Sequence, residues 1–144
     1  MKHKLLNAQP ERTYAVVLDP GDDPVSCLTR LAAEERLDAA RLTGIGAFCS
    51  VVVGFFDLER RDYERIGIDE PVEVISLVGD IALGPDGAPQ LHVHVVLGKR
   101  DGTAWGGHLL EARVQPTLEV MLVESPSHLR RRIDPATGLA LIAL

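Results

Sequence analysis

Apolar and polar residues alternate most regularly between Leu91 and Glu111, in the run LHVHVVLGKRDGTAWGGHLLE. Val93, Val95 and Leu97 fall on one side of a period of two. His92, His94 and Val96 fall on the other, so the two histidines share a strand face. Arg100-Asp101-Gly102 is a hairpin turn signal, and Thr103-Ala104-Trp105 can begin the return strand. Two registers are open. A two-residue Asp-Gly turn pairs Arg100 with Thr103 and sends His108 to the face opposite His94. A three-residue loop, with Gly102 left-handed as a bulge, pairs Lys99 with Thr103 and sets His94 across from His108. His92 then lies diagonally, roughly 7–8 Å away backbone to backbone.

The rest of the chain reads as scaffold for this ribbon. Residues 1–11 form a polar lead-in, and Arg12 to Leu18 a first strand. Asp23 can cap a helix that opens with Pro24. That helix should run to about Leu37, with Val25, Leu28, Leu31 and Ala32 as its apolar stripe. Arg41 to Gly46 reads as a glycine-rich connection, Ala47 to Leu58 as a strand, and Tyr63 to Ile66 as a short strand. Gly54 marks a bulge or a close approach. Pro71 to Leu83 is a strand with an irregularity, Gly84 to Pro89 a loop, and Thr117 to Val123 another strand. Arg130-Arg131-Arg132 reads as a solvated edge. Leu139 to Leu144 returns as a final edge strand. The fold class is α/β of the α+β type: a single compact domain over residues 1–144, largely antiparallel, with one main helix near the N-terminus.

The three-residue loop is the preferred register because it gathers three imidazoles at one point. A His-x-His pair on a strand is by itself ordinary sheet surface; a third histidine at the matching position changes that. Three nitrogens suit zinc, and three protein ligands leave a coordination position open. His92, His94 and His108 are therefore the candidate metal ligands. No catalytic residue is assigned. Gly106 and Gly107 would admit backbone or ligand closely. In this register the histidine face also carries Val96, Ala104, Leu110 and Ala112. Val93, Val95, Leu97, Trp105 and Leu109 occupy the other face. With both faces apolar, neighbouring subunits are the expected cover for one of them. His3 and His128 are set aside as solvated or remote.

Composition narrows the partners. The 144 residues carry a net charge of −6, with 25% charged and 46% hydrophobic residues. This is globular and acidic, a poor general binder of phosphate backbones. Cys27 and Cys49 make no metal-type spacing and read as buried free thiols in a reducing compartment. No segment reaches the roughly 18 uninterrupted apolar residues of a membrane helix. The cytoplasm is the expected location, with no membrane partner.

Several stretches together resemble one family. HVHVVLGKRDGTAWGGHL carries His-x-His, an acidic-Gly turn and Gly-Gly-His-Leu. Glu73 to Ile81, EVISLVGDI, is similar to the family's Glu-x-x-Ser-Leu-x-Gly-Asn-Ile, with Asp80 where Asn is usual. Val114 to Val120 and Gly44 to Ala47 match two further segments. The chain so resembles the PPC (plant and prokaryote conserved) domain, the domain of AT-hook nuclear-localised proteins, here in its stand-alone prokaryotic form. The resemblance implies a homotrimer, and a zinc ion held by the three matching histidines. It also implies a role in ligand or protein interaction, possible regulation among them.

Three functions are carried forward. One is a zinc-binding, homotrimeric interaction domain that takes a small ligand at the metal or a protein partner. Another is a metal-dependent enzyme using the three-histidine zinc site; Glu111 points away from the histidines in this register, and Glu73, Asp80 and Glu119 are its possible supporting carboxylates. The third is a DNA-binding regulator like the AT-hook proteins, weakened by the acidic charge and by the missing Arg-Gly-Arg-Pro core.

Overall fold

The structure is a computed structural model that describes residues 1–7, 11–125 and 129–143, with the backbone only for 3–7. The order is β1 (Lys2–Asn7), β2 (Thr13–Leu18), α1 (Pro24–Glu34), β3 (Ala39–Asp57), β4 (Asp62–Ile68), β5 (Val72–Leu83), β6 (Pro89–Gly98), β7 (Ala104–Glu124), β8 (Arg131–Ile133) and β9 (Ala140–Ile142). The main sheet runs β1-β2-β7-β6-β5-β3-β4, and β7 pairs again with β3. Following β3 to β5, β6, β7 and back to β3 therefore closes a ring of antiparallel pairs. α1 packs against β6 and β7. Its Leu28 and Leu31 join one hydrophobic cluster with Val93, Val95 and Leu97 of β6 and Leu118, Val120 and Leu122 of β7.

Asp23 caps the helix as expected: its Oδ1 accepts from the Ser26 N–H at 2.8 Å. Its other oxygen accepts from the Ala112 N–H at 3.2 Å, which ties the helix start to β7. The helix stops at Glu34, short of Leu37. Arg36 turns left-handed at φ 53°. The Leu37 N–H then reaches back to the Ala32 carbonyl at 2.9 Å, and the Arg36 N–H to the Ala33 carbonyl at 3.3 Å. This pair of back-bonds closes a helix end and turns Leu37 into the core.

Four further expectations are corrected. Part of the polar lead-in forms β1, paired with β2. Arg41 to Gly46 is strand rather than connection, because its backbone groups pair with both β5 and β7. The return strand of the hairpin and Thr117–Val123 are one strand, β7, whose N-terminal part pairs β6 and whose C-terminal part pairs β2. Cys49 is exposed, while Cys27 is buried; both thiols are free.

A bulge in β7 matters for the site. Val53 pairs with Leu109 but Val52 pairs with Glu111, so Leu110 is the extra residue. An inserted residue exchanges the two faces beyond it. Ala112 is thereby buried in the core and not on the histidine face. Glu111 comes round to the face of His108, opposite the direction expected from simple alternation.

Candidate metal centre

The β6–β7 turn is the three-residue loop. The Lys99 N–H donates to the Thr103 carbonyl at 2.9 Å, and the Gly102 N–H to the Lys99 carbonyl at 3.0 Å. Gly102 sits at φ +84°, where an L side chain is strained. His94 accordingly pairs with His108. The three imidazoles form a nearly equilateral triangle. Ring centroids lie 5.1 Å apart for His92–His94, 5.2 Å for His92–His108 and 5.3 Å for His94–His108. One ligand nitrogen from each ring falls within 4.8 Å of the others.

This set fits a metal ion. Nitrogens on a zinc tetrahedron with arms of 2.0–2.1 Å stand about 3.3 Å apart; His92 Nε2 and His94 Nε2 are separated by 3.2 Å. His108 Nδ1 is buried without a hydrogen-bond partner among the described residues. Leaving such a polar atom unsatisfied costs about 1–3 kcal/mol. Burial and the neighbouring His92 and His94 push the His108 pKa down to about 4. Burial, then His92, lowers that of His94. Both rings are neutral at neutral pH, and a neutral imidazole offers a lone pair to a cation.

The walls of the site come from three other elements. Tyr63 of β4 stacks on His108 at 4.7 Å between centroids and 20° between planes. Gly54 makes room for it, since a Cβ there would stand 2.6 Å from Tyr63 Cδ1. Asp80 of β5 lies opposite His92 in the sheet. Its Oδ2 is 3.8 Å from His92 Nδ1, within ion-pair range but longer than a hydrogen bond. Burial raises the Asp80 pKa, but His92 and Arg131 outweigh it and the net shift is downward.

Arg131 of β8 is 5% exposed. Its Nη2 donates to Asp80 Oδ1, and its Nη1 to the Ala140 carbonyl at 3.2 Å. A cavity of about 200 Å³ lies between this C-terminal hairpin and the ribbon, lined by Tyr63, Gln90, His92, His108, Arg131 and Leu141 among others. A larger groove of about 750 Å³ lies elsewhere, beside the start of α1, and gathers no metal-ligand cluster among the described residues.

His92, His94 and His108 are thus brought together as the sequence predicts. Asp80 joins them. Glu73 and Glu119 instead line a separate groove of about 520 Å³. Glu111 shares the face of His108 but is engaged by Arg65. The side chain of His3 and all of His128 lie outside the described residues. Gly106 and Gly107 serve the sheet: a Cβ on Gly106 would meet the Val95 carbonyl oxygen at 2.6 Å, and one on Gly107 the Gly54 carbonyl oxygen at 2.8 Å. Arg131 is the residue that sequence reasoning missed. The available signal was strand alternation, which sends the middle arginine of Arg130-Arg131-Arg132 to the side its neighbours avoid.

Among known proteins, the chain is similar to a metal-containing protein of Archaeoglobus fulgidus. They share 33% identity and a TM-score of 0.84, over 99% of this chain and 97% of that one. A plant- and prokaryote-conserved (PPC) protein of Pyrococcus horikoshii gives 30% identity and a TM-score of 0.86, over 99% and 95%. Two curated relatives, the bifunctional proteins GlmU of two Synechococcus strains, are each 32% identical over 130 residues. Those matches take in 88% of this chain but 19% and 20% of the relatives, so the chain spans about a fifth of their length. Residues 6–126 match the family model of the Plants and Prokaryotes Conserved (PCC) domain, and the chain belongs to that family, the PPC family of the motif resemblance.

Proposed function

We propose that His92, His94 and His108 hold a zinc ion in a homotrimeric domain that binds a small ligand or a protein partner. The observation that carries this reading is the triangle of imidazoles, with one nitrogen from each within 4.8 Å of the rest. Three ligands leave a fourth position for water or a ligand donor, and the adjoining cavity offers it space. When bound, the ion would supply a Lewis-acidic site there. The protein's own residues orient the rings, wall off one side through Tyr63, and keep His94 and His108 unprotonated.

Trimer formation is supported by the outer face. Met121, Thr43, Val78, His94 and His108 make one row across β7, β3, β5, β6 and β7. In and beside that row Val78, Met121 and Val96 are 49%, 44% and 42% exposed. An apolar patch rimmed by polar residues is the usual mark of an association surface.

The metal-dependent enzyme gains little support. The carboxylate nearest the rings, Asp80, is held by Arg131, and Glu111 is held by Arg65. General acid–base chemistry wants a group within reach of the substrate proton. DNA binding is disfavoured by the net charge of −6.

Metal analysis of the purified protein tests the reading. The expected result is one zinc per chain, lost in His94→Ala. Zinc at well below one per chain, indifferent to that change, would sink it. Light scattering should give three times the 15.6 kDa chain mass. Val78→Asp should break the assembly.

A further inference from the structure

Arg131 is the one charged side chain among the described residues that is buried, and its charge is paired with a single carboxylate, Asp80. Burying a guanidinium is costly unless it is paired. Two observations say what this pair is for. Asp80 faces His92 across the β5–β6 ladder, on the Nδ1 side of a ring whose Nε2 points at His94. And Arg131 lies outside the 6–126 segment that matches the family model, on the hairpin that roofs the histidine cavity. A carboxylate and its counter-ion thus occur together, at the back of one candidate ligand.

We propose that Asp80 and Arg131 are a positioning pair for the metal centre. Asp80 holds His92 as the Nδ1–H tautomer with Nε2 turned to the ion, and Arg131 holds Asp80. The proposal rests on the zinc reading and adds a consequence to it: the C-terminal hairpin sets metal affinity without supplying a ligand. Carboxylates behind ligating histidines do this by fixing the tautomer and raising the basicity of the ligating nitrogen, and their loss costs about 10–100-fold in affinity. In the metal-free protein the same arrangement makes His92 Nε2 the acceptor and His94 the donor of their 3.2 Å contact.

The experiment compares Asp80→Asn, Arg131→Met and the exposed neighbour Arg132→Met with the unaltered protein. Zinc affinity is read by competition with a chromogenic chelator at about pH 8, where an ordinary imidazole is neutral. The His92 tautomer is read in metal-free protein by long-range nitrogen–proton NMR, and melting temperature reports folding. Asp80→Asn should weaken zinc about 10–100-fold and let the His92 proton distribute over both nitrogens. Arg131→Met should weaken zinc by about tenfold, and Arg132→Met should change neither readout. If Asp80→Asn lowers the melting temperature but leaves affinity within about twofold and the tautomer unchanged, the pair is only a staple between β5 and β8 and the proposal fails. If the unaltered protein takes up no zinc, the zinc reading fails and the tautomer alone decides the positioning role: dependence on Asp80 upholds it, indifference overturns it. Should Arg131→Met not fold, Asp80→Asn, which keeps an oxygen for Arg131, carries the decision.

Discussion

Two hairpins meet at the histidine cluster and reach it by different physics. The β6–β7 ribbon supplies two adjacent strands joined by a three-residue loop, and all three imidazoles come from it. The β8–β9 hairpin is two strands of three residues each, and its one buried contribution is Arg131. The ribbon is specified locally, by turn chemistry and by a period of two. The small hairpin is specified by its docking: Leu83 donates to the Leu129 carbonyl at 2.8 Å, and Arg131 reaches a carboxylate 51 residues away in sequence. One hairpin carries the donor atoms; the other determines how firmly one of them is aimed.

The sharpest way to break this contrast is to remove a ligand from the first hairpin. His108→Ala should weaken zinc by more than about 100-fold, above the range for losing a group behind a ligand. Chelator competition measures it. An effect no larger than that of Arg131→Met would mean that His108 is not a ligand and that the two hairpins contribute alike.

The contrast also governs what could be read from the sequence. The histidine triangle is legible because His92, His94 and His108 sit in one ribbon, where turn chemistry and strand alternation leave two registers and only the three-residue loop gathers the imidazoles. The helix start was legible for the same reason: Asp23 and Pro24 act within one turn. Its end was not, because Arg36 is an ordinary residue in a left-handed position, chosen by the packing of Leu37 and not by local preference. The sequence divides the long strands β3 and β7 because their bulges and glycines resemble turns; only the partners on either side keep them extended. The bulge at Leu110 was invisible for that reason, and with it the true side of Ala112 and Glu111. Nothing near Arg131 in sequence needs a charge, so local pattern alone sends it to solvent. Its partner is Asp80, and only the fold brings the two together.

Acid separates the hairpins next. The folded pKa of His108 is near 4 against an ordinary 6.5, first because of burial and then because of His92 and His94. Between those values the unfolded chain binds a proton that the folded chain refuses. Metal-free stability should therefore decline as pH falls from 6.5 toward 4, with no contribution from this group above 6.5. Urea unfolding of metal-free protein across that window measures the slope, and His108→Asn should make it shallower. An unchanged slope would show that His108 titrates normally and is not held neutral by its surroundings.

Gly102→Ala tests the loop that phases the ribbon. At φ +84° an added Cβ meets no atom within 4 Å, so the cost is conformational alone. It should amount to about 1–2 kcal/mol, read as a lower melting temperature. Zinc stoichiometry should survive, because the β7 pairings with β2 and β3 hold His108 in place independently of the turn.

The smallest effect is expected at Ile133, which shares β8 with Arg131 but is 57% exposed. Ile133→Ser removes apolar surface that is already largely in water, so stability should move by no more than about 0.5 kcal/mol. Zinc affinity should not move at all, since Ile133 is not among the residues that line the histidine cavity. A fall in affinity comparable with that of Arg131→Met would mean that the hairpin acts by covering the cavity and excluding water, with the guanidinium incidental. Unchanged affinity in Ile133→Ser beside weakened affinity in Arg131→Met would leave the contribution of β8–β9 with one charged contact, and would fix the division of labour between the hairpins at the level of single side chains.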